Sequence, residues 1–170
     1  VYRDEFASPS TVIPYCITTQ GWQADASALA RHGLDPGGYV IIAGRLNPEN
    51  NIDTIVEHYS NGGLDLPMVV LGAANYDSPV ARRLADIERS DARIRVLGHV
   101  GSRPEFFDLV HHAAVYIHGH SVGGTNPSLV EAMAVGARIA AFDTPFSRET
   151  LGPDAALFRL SPSTVVATLG

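Results

Sequence analysis

Apolar runs too short to be helices recur along this chain: "YVIIAG" at 39–44, "PMVVLG" at 67–72, "IRVLG" at 94–98, "AVYIHG" at 114–119 and "ARIAAF" at 137–142. Each has the length of a strand, and a strand apolar on both sides must be covered on both sides. Helical patterns fill the gaps between them. "NIDTIVEHYSNGG" sets Ile52, Ile55, Val56 and Tyr59 at helical spacing and ends in glycines. "SPVARRLADIE" opens with Pro79, and "RPEFFDLVHHA" and "NPSLVEAMAVG" continue the series. Earlier, "ADASALARHG" reads as a helix ending at Gly33 before the turn "LDPGG". At the ends, "TVIP" reads as an opening strand, "PFSRETLG" as a short helix, "ALFRL" as a last strand and "SPSTVVATLG" as the start of another helix. Strands alternating with helices in this way predict βαβ units, and hence an α/β fold with a doubly wound parallel sheet.

The 170 residues suffice for one domain, read here as 1–170, with a sizeable core. No apolar run approaches the ~20 residues of a membrane span. The opening "VYRDEF" lacks the basic start and apolar stretch of a secretory signal. One cysteine, Cys16, cannot form an internal disulfide, which points to a reducing, cytoplasmic setting. A net charge of −6 argues against a nucleic-acid partner. All 12 basic side chains are arginine, so any anion site must use guanidinium groups or backbone N–H groups. The final helical pattern stops without a stop signal, and the first residues read as a connector. The expectation is one lobe of a larger protein.

In doubly wound sheets ligands bind beyond the carboxyl ends of the strands. "AGRL", "LGHVGS" and "HGHSVGGTNP" all fall there. In the last, Asn126 suits an N-cap and Pro127 a first helical position. The helix dipole and the open backbone at Gly123 and Gly124 then make a cradle for phosphate or diphosphate. A plain helix cap after a tight turn explains the same residues. Arg45 can hold a phosphate through two parallel hydrogen bonds, or pair with Glu49 on the surface. Glu131, one turn into its helix, can accept from a pair of sugar hydroxyls, or simply complement the dipole. His118 and His120 alternate at a strand end and can face one side; a cleft hydrogen bond is favoured over a metal, because no third ligand has telling spacing. His111 and His112 fall on a helix flank, and Phe106, Phe107, Leu109 and Val110 read as core. No dinucleotide fingerprint or P-loop is present, and Ser121 lacks the frame of a nucleophile elbow.

"VIIAGRLNPENNIDTIVEHY", then "VLGHV", then "GGTNPSLVEAMAVGARIAAFDTPFSRETLG" resembles the C-terminal, donor-binding lobe of glycosyltransferase family 4, in its rhamnosyltransferase-like branch. The resemblance covers nearly the whole chain. It implies the GT-B fold, with two Rossmann-like lobes facing across a cleft, and a retaining enzyme that needs no metal and no cofactor. By that resemblance Arg45 contacts the donor diphosphate and is the catalytic residue. Gly124, Thr125, Asn126, Pro127 and Ser128 cradle the phosphates, and Glu131 binds the ribose. His99, Val100 and Gly101 flank the base, and His118, His120 and Asn50 lie toward the sugar. Asn50 stands where the family often has a lysine, and Gly123 where it often has a glutamate. The implied partners are a nucleoside-diphosphate sugar, an N-terminal lobe of the same protein, and a glycan or lipid-linked acceptor. The implied setting is cell-surface polysaccharide synthesis, cytoplasmic or at the inner face of the membrane. The alternatives are a non-catalytic nucleotide-binding module and another GT-B enzyme such as a sugar-nucleotide epimerase. A phosphorylase is excluded, because its pyridoxal cofactor needs a lysine.

Overall fold

The five apolar runs become strands of one sheet in the computed structural model, which describes residues 5–9, 11, 13, 15–74 and 78–169. The elements run α1 (Ser27–Ala30), β1 (Val40–Ala43), a 3-10 turn (Pro48–Asn50), α2 (Ile52–Asn61) and β2 (Met68–Leu71). Then come α3 (Pro79–Ser90), β3 (Ile94–Gly98), α4 (Arg103–His111) and β4 (Val115–His118). The chain closes with α5 (Pro127–Ala134), β5 (Ile139–Phe142), α6 (Pro145–Leu151), β6 (Ala156–Phe158) and α7 (Pro162–Leu169). The strand order is β3-β2-β1-β4-β5-β6, and every pairing is parallel. The fold is the expected doubly wound, Rossmann-like α/β sheet. The winding reverses between β1 and β4, so their following loops part and leave a crevice.

Side-chain alternation divides the core between the two sides of the sheet. Val40 and Ile42 point to one side, packing with Ile52, Ile55, Val56 and Tyr59 of α2 and Leu84 of α3. Ile41 and Ala43 point to the other, with Leu29 of α1, Leu109 of α4 and Ala132 of α5. All four residues of β1, β2 and β4 are buried, which is why those runs lack polar alternation. Among the described residues no helix is long and apolar enough to cross a membrane.

Two expectations at the N-terminal end change. The helix expected over 24–33 shrinks to Ser27–Ala30. The Asp25 carboxylate accepts from the Ser27 backbone N–H at 2.8 Å, and the following N–H groups of His32 and Gly33 bond back only three residues, to Leu29 and Ala30. Gly33, at φ 58°, then ends the turn. Of the "TVIP" run, Val12 and Pro14 lie outside the described residues; Thr11 and Ile13 carry no strand, and Ile13 is 87% exposed. Gly170, at the end of the final run, also lies outside the described residues.

The carboxyl edge of the sheet is built by close backbone approach. A Cβ on Gly72 would lie 2.0 Å from the Gly44 carbonyl oxygen, and one on Gly119 would lie 2.5 Å from both the Asn50 carbonyl oxygen and Ile55 Cδ1. Next to it, His118 is 3% exposed and its ring stacks on His120, centroids 4.5 Å apart at 8°. Burial, reinforced by His120, pushes the His118 imidazole down to about 3. His120 is lowered by burial and then by the charge of Arg45.

Two stability predictions follow from this edge. Gly119→Ala should lower unfolding free energy by ~1–3 kcal/mol in urea titration, because the methyl meets backbone that cannot swing aside. Gly101→Ala, whose added methyl meets nothing within 4 Å, should be nearly neutral. The second concerns protons. Both histidines are held neutral in the folded protein, while the unfolded chain protonates them below about 6.5. The unfolded state therefore binds more protons on the acid side, so stability falls as pH drops from about 6.5 toward the folded value of about 3 for His118. Between pH 6.5 and 5 the unfolding free energy from urea titration should fall, with a slope approaching ~1.4 kcal/mol per pH unit from His118 and a further contribution of the same sign from His120. His118→Leu should make that fall shallower; an unchanged slope would exclude His118 as its source.

Candidate functional site

A cleft of about 640 Å³ opens over the carboxyl ends of β1, β2 and β3. Gly44 and Arg45 enter it from the end of β1, Gly72 and Ala73 from β2, and His99, Val100 and Gly101 from the loop after β3. Arg103 and Phe106 of α4 and Ser128 and Glu131 of α5 complete the wall. Segments more than 80 residues apart in sequence thus share one space because the parallel sheet delivers every strand end to the same side.

The β1 loop is clamped to the β4 loop. Asn50, 3% exposed, donates through Nδ2 to the Arg45 carbonyl oxygen at 2.7 Å. Asn51 Nδ2 donates to the Gly119 carbonyl at 2.8 Å. Ser121 donates both its backbone N–H and its Oγ–H to the Glu49 carbonyl, each at 2.9 Å. The backbone under Arg45 is therefore fixed while its side chain is exposed. The Glu49 carboxylate accepts from Asn47 Nδ2 at 3.1 Å. Among the described residues no carboxylate pairs with the Arg45 guanidinium.

The start of α5 follows the expected cap with one difference. Asn126 Oδ1 accepts from the Ser128 N–H at 3.0 Å and the Ser128 Oγ–H at 2.8 Å. The Asn126 carbonyl accepts from the N–H groups of Leu129 and Val130. The cap thus consumes the first-turn donors itself. The N–H groups left without a partner among the described residues are those of Gly123, Gly124, Thr125 and Asn126, on the loop just before the helix. The helix dipole still favours negative charge there.

Six of the expected residues line the cleft: Arg45, His99, Val100, Gly101, Ser128 and Glu131. Thr125, Asn126 and Pro127 stand at its rim, next to Ser128 in the chain, without lining it. Gly124, His118 and His120 line a separate, smaller cavity with Thr144, Ser147 and Thr150. The Nδ1 atoms of His118 and His120 are buried without a protein partner. Asn50 is buried beneath Arg45 and its amide is spent on backbone.

Two wall residues were not expected. Phe106, read as core, forms part of the cleft while Phe107 next to it is buried. Arg103 Nη2 lies 3.2 Å from Glu131 Oε1, and its Cζ sits 5.2 Å from the Phe107 ring centroid. A cation at a first helical position opposes the helix dipole, and that exception in "SRPEFF" is the local signal that Arg103 serves something other than its helix. Among the described residues, two guanidinium groups face one carboxylate in the cleft, in a chain of net charge −6. Such a cleft attracts an anionic ligand that the rest of the surface repels. Among the described residues no group of three or more His, Cys, Asp or Glu is placed to hold a metal ion.

Comparison with known proteins places this architecture. Over 99% of its length the chain superposes on 45% of a sucrose-phosphate synthase from Thermosynechococcus elongatus, with a TM-score of 0.76 and 16% identity. Over 85% it superposes on 41% of Anabaena HepE in complex with UDP-glucose, with a TM-score of 0.71 and 15% identity. Over 98% it superposes on 35% of the pneumococcal O-GlcNAc transferase GtfA in complex with UDP and GlcNAc, with a TM-score of 0.65 and 19% identity. The chain spans less than half the length of each of these structures. No curated protein matches it in sequence. Residues 30–163, which hold the whole sheet and both walls of the cleft, match the family model described as "Glycosyl transferases group 1". The chain belongs to the glycosyl transferases group 1 family.

Proposed function

We propose that this chain is the donor-binding lobe of a retaining family 4 glycosyltransferase of the rhamnosyltransferase-like branch. The observation that carries the reading is the meeting of Arg45, the α5 entrance and Glu131 at one edge of the sheet. That set offers a guanidinium and the positive end of the α5 dipole for a diphosphate, and a carboxylate one helical turn away for ribose hydroxyls. HepE and GtfA, which share the fold, are seen with UDP or UDP-glucose. The His99–Gly101 loop forms the wall on the β3 side and takes the base. His118, His120 and Asn50 support the sugar-side backbone.

The reaction is front-face transfer. The bond from sugar carbon to diphosphate oxygen breaks, positive charge builds on the sugar, and an acceptor hydroxyl attacks from the face the diphosphate leaves. The diphosphate takes up the negative charge, and the hydroxyl proton passes to it as the new glycosidic bond forms. Arg45 and the positive end of α5 stabilise that departing charge, so the rate gain comes from electrostatics and positioning, without a metal. An N-terminal lobe holds the glycan or lipid-linked acceptor. The full-length protein works on the cytoplasmic side, at the inner face of the membrane, in cell-surface polysaccharide synthesis.

A second reading, a nucleotide-binding module without transfer, draws on Asn50, whose burial leaves the β1 loop with a single cation. Calorimetric titration of the chain with UDP, GDP and dTDP, with metal chelated, tests the common ground: one of the three should bind. Arg45→Ala should weaken that binding roughly 10- to 100-fold, the loss of a charge-assisted hydrogen-bond pair. In the full-length protein the same change should cut turnover about 10²–10³-fold. Unchanged binding would remove Arg45 from the site. Transfer of sugar by the full-length protein decides between enzyme and module.

A further inference from the structure

We propose that Arg103 is a positioning residue that holds Glu131 ready for the ribose, an inference that rests on the donor-lobe reading. Arg103 Nη2 lies 3.2 Å from Glu131 Oε1. Glu131 Oε2 has no partner among the described residues, so one oxygen is anchored and the other faces the cleft to accept from a hydroxyl. The anchor is itself held. Arg103 sits at the first position of α4, whose cap Ser102 accepts from the Glu105 N–H, and its guanidinium rests over the Phe107 ring. Phe107 is buried at 3% exposure, so it fixes the stem of Arg103 against the core.

Two consequences follow for a nucleotide. A glutamate free to rotate must be ordered on binding, at a cost that a standing ion pair removes beforehand. A lone carboxylate beside a diphosphate also repels it, and Arg103 cancels that charge at its source. The direction of approach separates the two arginines. Arg103 opens the helix that follows the edge strand β3, whereas Arg45 follows β1 at the winding reversal. Arg103 therefore acts on the ribose through Glu131, and Arg45 on the phosphates.

The test uses whichever of UDP, GDP and dTDP the protein binds most tightly, and the same nucleotide lacking its 3′-hydroxyl, by calorimetry. The unaltered protein should prefer the hydroxylated form about tenfold, the scale of a hydrogen bond to a charged group. Arg103→Ala should weaken the hydroxylated nucleotide about fivefold to tenfold and the deoxy form less than twofold, erasing most of the preference. Arg103→Lys should restore part of it. Added to Glu131→Gln, Arg103→Ala should cause no further loss, as expected when one residue acts through the other. The unfolding midpoint should barely move, because the pair is half exposed on the arginine side and screened by solvent. Equal losses on both nucleotides would show Arg103 touching the base or phosphates directly and overturn the proposal, as would no loss on either. Absence of binding of all three nucleotides by the unaltered protein would instead remove the donor-lobe reading, and this inference with it.

Discussion

The approach of bare backbone at the carboxyl edge of the sheet governs the rest of the structure. The Gly44 carbonyl passes so near Gly72 that a methyl group there would stand 2.0 Å from its oxygen, and Gly119 is pressed equally against the Asn50 carbonyl and Ile55. Where two strand ends come this close, no side chain can fill the space above them. The crevice at the winding reversal thus exists because the chain has nothing with which to close it. Polar groups that reach it come from loops and helix starts around the rim. That arrangement suits a ligand that must be held at several points along its length.

The hydrogen bonds beneath Arg45 give the rim its rigidity. Asn51 and Ser121 join the β1 loop to the β4 loop and Asn50 ties the β1 loop to itself, each through a backbone carbonyl, so the bonds restrain the main chain and leave the charged side chains untouched. Asn50 therefore acts at this rim through the backbone and not through charge. It holds the Arg45 backbone in place, while the guanidinium stays exposed. The stacked, neutral histidines behind this loop fit the same pattern. They fill space beside Arg45 without adding charge, and the arginine's own field helps keep His120 uncharged.

The strands and the α5 cap were legible in the sequence because their signals are local. A strand buried on both sides must be apolar throughout, and the Asn126–Pro127 pair has little use other than opening a helix. The parallel, doubly wound sheet followed from the same alternation, since parallel neighbours need helical crossovers; the strand order itself came only with the structure. Other features depended on contacts that no short window contains. The helix around Ser27 has the right residues but starts against the Asp25 carboxylate and is closed by Gly33 within a single turn. "TVIP" is apolar enough for a strand, and Ile13 nevertheless stands in solvent. The bond between Arg103 and Glu131 joins two helices through tertiary packing. Phe106 and Phe107 were inseparable by composition, and only the rotation of α4 turns one to the cleft and the other to the core.

The arginine-only composition ties these points together. A lysine ammonium is a strongly hydrated point charge on a flexible stem, whereas a guanidinium is planar, weakly hydrated and able to rest on an aromatic ring. Arg103 uses that property on Phe107, binding a carboxylate while its flat face rests against the core. Among the described residues no ring lies beneath Arg45, and its backbone is clamped instead. The two cations of the cleft are thus fixed by different means, one through its side chain and one through its main chain. Both means leave guanidinium N–H donors facing the cleft. In an acidic protein, that local excess of oriented donors makes this edge the place where an anion can settle.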